Sequence, residues 1–438
     1  MQKTLFTVIL TLLYSIQVGA QSLRECIELA LQNSFELQIH RNDEEIADNK
    51  VSWSNAGALP TIEATAAYRP TWRTMERSVS RATGQATTQN NAIDNALSAG
   101  VSLDWTLFDG HSIQTTYKQY QLLQQQGELN TRIAIEDLIA DIASEYYYYL
   151  QQVIRKKNLM YSMSLSRERL RIADLNYETG RLSGLDRKLA LADFHADSIA
   201  YIAQDEALTS SRIRLNSLMT NSRLDAPITL IDTTISLRQD LSIDDLWEKT
   251  LAANSTILKA AQNTRLAELD LKKVLSRNYP YLRLNAQYGY NHTFYDRAAN
   301  SQTSNLTLNG GLTLGFNIFD GRRRRERRNA ELSIQNSKLQ SQQIELNLHS
   351  RLITFWEAYC NDLKLIDLQN ENLTIARSNY EAAMERYKLG DLSGFDLRQV
   401  QDKLLDAEQR VLNVLFDAKI SEISLLQISG HLTDYLKP

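Results

Sequence analysis

Residues 306–328 read LTLNGGLTLGFNIFDGRRRRERR, and the rest of the chain can be ordered around this stretch. Leu306, Leu308, Leu312, Leu314, Phe316 and Ile318 alternate with Thr307, Asn309, Gly311, Thr313, Gly315 and Asn317. A period of two places one apolar and one polar face on a β-strand. The alternation ends at Phe319-Asp320-Gly321, where a long, charged, helix-periodic segment begins. The same change occurs upstream. Leu97, Ala99, Val101, Leu103, Trp105 and Leu107 alternate with polar or small residues and lead into Phe108-Asp109-Gly110, 211 residues before the second junction. The chain is therefore a duplicated unit in which a two-faced strand runs into a very long helix.

Other landmarks recur at nearly the same offset. Residues 22–54 and 242–277 have amphipathic helical spacing, and the prolines that follow them, Pro60 and Pro280, lie 220 residues apart. Each proline opens a strand. Ile62, Ala64, Ala66 and Tyr68 alternate in the first copy; Leu282, Leu284, Ala286, Tyr288 and Tyr290 do so in the second. Polar stretches at 69–96 and 291–305 are expected to be loops. The first repeat then spans 21–230, with strands at 60–68 and 97–108, a long helix at 110–179 and a return helix at 187–220. The second spans 231–438, with strands at 280–290 and 306–318, a long helix at 321–389 and a return helix at 397–430. The linker at 223–241 has a possible short strand at 228–231.

Each long helix has about 68 residues before a glycine and no proline, which at 1.5 Å per residue is about 100 Å. Ile135, Leu138, Ile142, Tyr146, Tyr149 and Val153 step by threes and fours, as do Leu352, Phe355, Tyr359, Leu363 and Ile366. So narrow a stripe is a coiled-coil seam. The run Tyr146–Tyr149 points all round a helix and reads as core and flank packing rather than a binding box. Both long helices break at related turns, Tyr177-Glu-Thr-Gly180-Arg-Leu182-Ser183-Gly184-Leu-Asp186 and Tyr387-Lys-Leu-Gly390-Asp-Leu392-Ser393-Gly394-Phe-Asp396. Glycine after a helix is a stop signal, and Ser or Asp just beyond can cap the next helix.

Composition narrows the function. The chain has 438 residues, a net charge of −4 and a pI of about 6.0, so nothing global calls for nucleic acid. Residues 1–20 carry Lys3, an apolar run and Val18-Gly19-Ala20, the pattern of an export signal cut before Gln21 and too short to span a membrane. Cys26 and Cys360 are read as free thiols rather than a disulfide. The six histidines are scattered without an HExxH pair, and neither a phosphate-cradling glycine loop nor a GxSxG elbow occurs. No enzyme activity, metal or cofactor is expected.

The strands impose the strongest constraint. They are long enough to cross a bilayer when tilted and apolar on one face only. Four strands cannot close a barrel, which needs about eight, and open edges cannot be left in lipid. Either they belong to a soluble domain, making the chain a periplasmic coiled-coil scaffold, or several chains pool their strands in one barrel. Helical seams of about 100 Å favour pooling, because one chain has too few partners for them.

The export signal, duplicated layout, Phe-Asp-Gly junctions and paired Tyr-x-x-Gly turns together resemble the TolC family of outer-membrane efflux proteins. The resemblance implies a mixed α and β membrane protein: a homotrimer whose twelve strands form an outer-membrane β-barrel above a periplasmic α-helical tunnel. It also implies a passive exit duct for efflux or type I secretion, served by a periplasmic adaptor and an inner-membrane pump. Phe108, Asp109, Gly110, Phe319, Asp320 and Gly321 would lie at the periplasmic face of the membrane, and the glycine turns at the tunnel tip. Gly180, Leu182, Ser183, Gly184, Gly390, Leu392, Ser393 and Gly394 would meet the adaptor. Tyr387 resembles the family tyrosine that ties neighbouring coils shut, with Asp186 as acceptor; Tyr177 and Asp396 complete the gate. Three Asp396 carboxylates about 8 Å apart would repel by about 2 kcal/mol per pair at a dielectric near 20, favouring cations. Leu392 stands where relatives carry a gate arginine, and Gln399 where a second acidic residue can occur.

The arginines Arg322–Arg325, Arg327 and Arg328 oppose the dipole of the helix they open, so local helix stability does not explain them. They read as a contact to lipid headgroups, a lumen lining or a solvated basic turn.

Overall fold

The computed structural model describes residues 21–79, 81, 83–296 and 302–436; the export signal lies outside these residues. The elements are α1 (Leu23–Asn33), α2 (Phe35–Lys50), β1 (Thr61–Val79), β2 (Ala86–Phe108), α3 (Ser112–Glu178) and α4 (Gly184–Leu218). The second copy repeats them as α5 (Ile243–Ala253), α6 (Ser255–Ser276), β3 (Tyr281–Phe294), β4 (Gln302–Gly315), α7 (Arg323–Leu389) and α8 (Gly394–Ile428), followed by a 3-10 turn over Leu432–Leu436. Both long helices have 67 residues.

Four features differ from what the sequence leads one to expect. Each expected N-terminal helix is two helices, broken at Ser34 and at Asn254, again 220 residues apart. These residues close one helix and cap the next. The Ser34 backbone N–H donates to the Ala30 carbonyl (2.8 Å) while its hydroxyl accepts from the Leu37 N–H (3.3 Å). The Asn254 N–H donates to Thr250 (3.0 Å), and its Oδ1 accepts from Thr256 and Ile257 (3.0 and 3.1 Å). Short polar side chains that bond their own backbone compete with a continuous helix, which is why the breaks fall there.

The first hairpin is also longer than expected, since β1 and β2 consume most of the stretch expected to be a loop. The residues there are mostly polar, and Trp72, Met75, Val79 and Ile93 do not recur with a period of two, but ladder pairing continues from Thr61 with Asp104 out to Val79 with Ala86. At the other end, β4 stops at Gly315, short of the expected Ile318. The possible strand in the linker reduces to one parallel bridge between Gln21 and Leu230.

The chain divides into two compact units. One, comprising residues 43–128 and 260–341, holds the sheet. Its order is β1-β2-β3-β4, antiparallel throughout, and β2–β3 pairing joins the two sequence copies. The register brings the four apolar faces into one. Ile62 pairs with Leu103, Leu103 with Ala286, and Ala286 with Gly310; the next apolar row runs Ala64, Val101, Tyr288, Leu308. The opposite face carries Glu63, Ser102, Gln287 and Asn309 in one row. The apolar face is exposed, with Ile62, Val101, Tyr288, Leu308, Leu312 and Leu314 all open to the surroundings.

The other unit, whose described residues are 21–42, 129–259 and 342–436, is helical. One core cluster packs Ile139, Ile142, Ala143, Tyr146 and Leu150 of α3 against Cys26, Ile27 and Ala30 of α1 and Leu426 of α8. A second repeats the arrangement with Leu246, Leu348, Leu352 and Tyr359. The tyrosine run behaves as core and flank: Tyr146, Tyr147 and Tyr149 are buried and Tyr148 is exposed. Two of these buried phenols hold polar partners, which offsets the loss of water at the hydroxyl. Tyr146 donates to Asp232 (2.6 Å) and Tyr149 to the Ile228 carbonyl (3.1 Å). Tyr359, 210 residues after Tyr149, donates in the same way to the Arg238 carbonyl. Both cysteines are free; burial, then the Glu25 charge, pushes the Cys26 thiol up to about 12.

The two strand-to-helix junctions are not equivalent. Asp109 caps α3 by accepting from the Ile113 N–H (3.1 Å), and Asp320 accepts from Arg322 N–H (3.0 Å). Gly110, however, has φ +70°, and a Cβ there would lie 2.2 Å from the Ser276 carbonyl oxygen; Gly321 has an ordinary φ and only the Phe319 ring nearby, at 3.8 Å. Gly110→Ala should therefore destabilise the fold by about 2 kcal/mol or more, through strain and a backbone clash, whereas Gly321→Ala should stay within about 0.5 kcal/mol. Thermal unfolding followed by circular dichroism checks the pair; equal effects would contradict the junction geometry.

Candidate functional site

The candidate site is the end of the helical unit where α3 turns into α4 and α7 into α8. Both turns are built alike. Gly180 and Gly390 take φ +73° and +84°, the left-handed conformation that ends a helix cheaply only as glycine. A Cβ at either position would meet nothing within 4 Å, so backbone conformation rather than packing selects glycine. Ser183 and Ser393 then cap α4 and α8, with hydroxyls accepting from the N–H groups of Asp186 (3.3 Å) and Asp396 (3.0 Å). The carboxylates return the bond: each serine hydroxyl donates to its aspartate, at 2.8 and 2.7 Å. The aspartates are thus the third residues of their helices and the serines are the caps, which refines the capping role expected of Asp. Both carboxylates remain exposed.

The gate candidates separate by copy. Tyr177 is 46% exposed, with Arg187 over its ring, whereas Tyr387 is 6% exposed. Tyr387 sits in an apolar cluster with Ile172, Tyr380, Met384, Leu397 and Leu404, and Leu392 packs against that cluster. Burial pushes the Tyr387 phenol above its ordinary value; the Arg169 charge opposes this and Asp186 adds to it. Asp186 is therefore near, but within one chain, among the described residues, no hydrogen bond joins the two side chains.

Just inside the turns lies a polar network absent from the sequence reading. Arg398 on α8 grips Asp197 on α4 with both guanidinium arms (2.8 and 3.0 Å). Ser166 on α3 donates to the same carboxylate, and Gln401 on α8 donates to Ser166 (2.9 Å). Arg169, one turn further along α3, is fully buried and paired to Asp193. The network joins the hairpin of the first copy to that of the second through charge-assisted bonds, the strong class. Burial acts to raise the Asp197 pKa, but the bonds from Arg398 and Ser166 outweigh it and hold the carboxyl below its usual value. A signal was present in the sequence: Ser162, Ser166 and Arg169 step by four and by three along α3, polar residues at the spacing of one helix face.

The model of the outer membrane efflux protein family matches residues 26–221 and 246–431, one match for each structural copy. The chain belongs to that family. As an outer membrane efflux protein of the TolC type, it is an outer-membrane exit duct, which sets aside the soluble-scaffold reading. Solved structures share the fold at low identity. A membrane protein from Pseudomonas aeruginosa is 16% identical with a TM-score of 0.74, covering 93% of this chain and 90% of that one. VceC from Vibrio cholerae is 16% identical with a TM-score of 0.72, covering 93% and 96%. The CmeC outer membrane channel of Campylobacter jejuni is 16% identical with a TM-score of 0.73, covering 93% and 85%. No curated protein matches the sequence.

Removing one side of the buried clasp leaves a charge without its partner. Arg398→Gln should cost the efflux protein about 3 kcal/mol, whereas Arg386→Gln, at an exposed pair with Asp391, should cost under about 1 kcal/mol. Because the Asp197 pKa is lowered in the fold, its contribution is complete above the unfolded value of about 4 and is lost as pH falls through the folded value. Thermal melts across the acid range should show Asp197→Asn less acid-sensitive than the parent; parallel curves would remove the clasp from the stability of the tip.

Proposed function

We propose that the chain works as a homotrimer in the outer membrane, with the described sheet as one third of a twelve-stranded barrel. The observation that carries this is the open sheet: one continuous exposed apolar face, and two edges, β1 and β4, whose outward backbone groups have no ladder partner among the described residues. In lipid those groups must be paired, and β4 of one copy beside β1 of the next supplies the pairing. The polar face then lines the lumen. The proposal includes removal of residues 1–20 on export across the inner membrane.

The duct is a passive conduit without catalytic residues, metal or cofactor. A periplasmic adaptor meets the turns at Gly180, Leu182, Ser183, Gly184, Gly390, Leu392, Ser393 and Gly394, and an inner-membrane pump supplies energy and cargo. The turns carry exposed large apolar side chains, Leu185, Leu389 and Phe395, which suit a protein partner. The gate is formed by Tyr387, Asp186, Asp396 and Tyr177 between neighbouring copies. Asp186 and Asp396 are exposed and free to face such an axis. With Leu392 in place of a gate arginine, apolar packing around Tyr387 and the Arg398–Asp197 clasp take over part of the closure.

Two experiments test these levels separately. Leu314 lies on the apolar face and Thr313 on the polar one, so Leu314→Arg should cost about 2–4 kcal/mol and deplete the heat-modifiable trimer, while Thr313→Arg is tolerated. Equal tolerance of both would reject the barrel or its parity. For the gate, Tyr387→Phe and Asp186→Asn each remove one end of a tie worth about 1.5–3 kcal/mol. Purified trimers of either variant in planar bilayers should conduct more than wild type; unchanged low conductance in both would reject the gate.

A further inference from the structure

The described fold gives no use to the arginines that open α7. The apolar face of the sheet runs to Leu314 on β4, and the chain continues through Phe316, Ile318 and Phe319, the last two 90% and 89% exposed. Six arginines follow within the next nine residues. Their internal counter-charges are few. Asp320 lies 3.7 Å from Arg322, and Glu331 is shared between Arg327 (3.0 Å) and Arg328 (3.5 Å). Glu326 is already held by Arg277 at 2.5 Å, and Arg323 donates to the Asn317 carbonyl (3.2 Å). Arg324 and Arg325 are exposed and have no side-chain partner among the described residues.

Such a cluster works against its own helix. Cations at a helix N-terminus face the positive end of the dipole, and Arg324 repels Arg328 one turn later. The first copy builds the same junction with His111, Ser112, Ile113, Gln114, Thr115 and Thr116, without one arginine. The fold thus does not require the charge, and an external anion is what relieves it. The position identifies that anion. Exposed apolar surface gives way to guanidinium groups within four residues, the profile of a surface crossing from acyl chains to headgroups. Guanidinium matches phosphate oxygens in two-point geometry, and long side chains reach it while their stems stay in apolar surroundings.

We propose that Arg322, Arg324, Arg325 and Arg328 bind the phosphate groups of anionic lipids at one boundary of the membrane, with Ile318 and Phe319 anchored in the adjoining acyl region. This rests on reading the apolar sheet face as lipid-facing. Because only the second copy carries the cluster, a trimer holds three such sites, one per chain.

The test reconstitutes the full mature protein in phosphatidylcholine vesicles containing trace spin-labelled phosphatidylglycerol or spin-labelled phosphatidylcholine, and measures the motionally restricted fraction of each. Wild type should prefer the anionic label by about tenfold at low salt, falling as salt screens the contact. Arg324→Gln/Arg325→Gln, which breaks no internal ion pair, should lower that preference severalfold, and the fourfold variant R322Q/R324Q/R325Q/R328Q should abolish it, with restricted phosphatidylcholine unchanged. No preference in wild type, or full preference in both variants, overturns the lipid site. Loss of the preference on adding inorganic phosphate at constant ionic strength would also overturn it, in favour of a free-phosphate site. Failure of wild type to restrict either label would instead reject the barrel reading itself.

Discussion

A β-sheet carries along each outer strand a row of N–H and C=O groups, and a non-aqueous solvent cannot satisfy them. In this chain the constraint is acute. The register that lines up Ile62, Leu103 and Ala286, and below them Ala64, Val101, Tyr288 and Leu308, makes a surface that water does not favour. It also leaves β1 and β4 as edges of a four-stranded sheet. Greater length of the strands does not help, because closure depends on their number. The sheet is stable in lipid only with further strands, and in the proposed trimer the other copies supply them with matching polarity on both faces.

Duplication supplies the scaffold, and departures from it supply the specialisation. Ser34 and Asn254 break the paired helices in the same way, Tyr149 and Tyr359 make the same bond to linker carbonyls, and Gly180 and Gly390 end the long helices in the same conformation. The copies then diverge at the tip turns and at the strand-to-helix junctions. Tyr387 is enclosed and Tyr177 open; Gly110 is sterically required and Gly321 is not; the second junction alone is basic. Positions that a repeat would leave interchangeable have become different in packing, strain or charge.

Near the tips, burial decides which charges count. The surface carries many ion pairs, such as Arg171 with Glu168, that solvent largely neutralises. Asp197 is different, since a carboxylate there has lost its water and depends on Arg398 and Ser166. Its partners come from α3 of the first copy and α8 of the second, so the clasp resists separation of the two hairpins rather than stiffening one helix. In the proposed assembly any opening at the tip has to strain or rearrange this network.

Much of the architecture was legible because it follows from short-range periodicity. Alternating residues determined the sheet faces, three-four spacing and missing prolines determined the long helices, and Gly180, Gly390, Ser183 and Ser393 determined where those helices turn. These are local steric and hydrogen-bonding preferences, and adjacent residues settle them. The polar continuation of β1 and β2 was not legible, since backbone pairing there needs no apolar pattern. The difference between Gly110 and Gly321 was not legible either, because it depends on where Ser276 and Tyr279 arrive from another helix end. The clasp of Arg398, Asp197, Ser166 and Gln401 joins residues more than 200 positions apart, and the burial that gives it strength exists only after the hairpins pack. The faces, lengths and turns of the elements follow from neighbouring residues alone; which side chains lose water together, and so which charges matter, follows only from packing between distant segments.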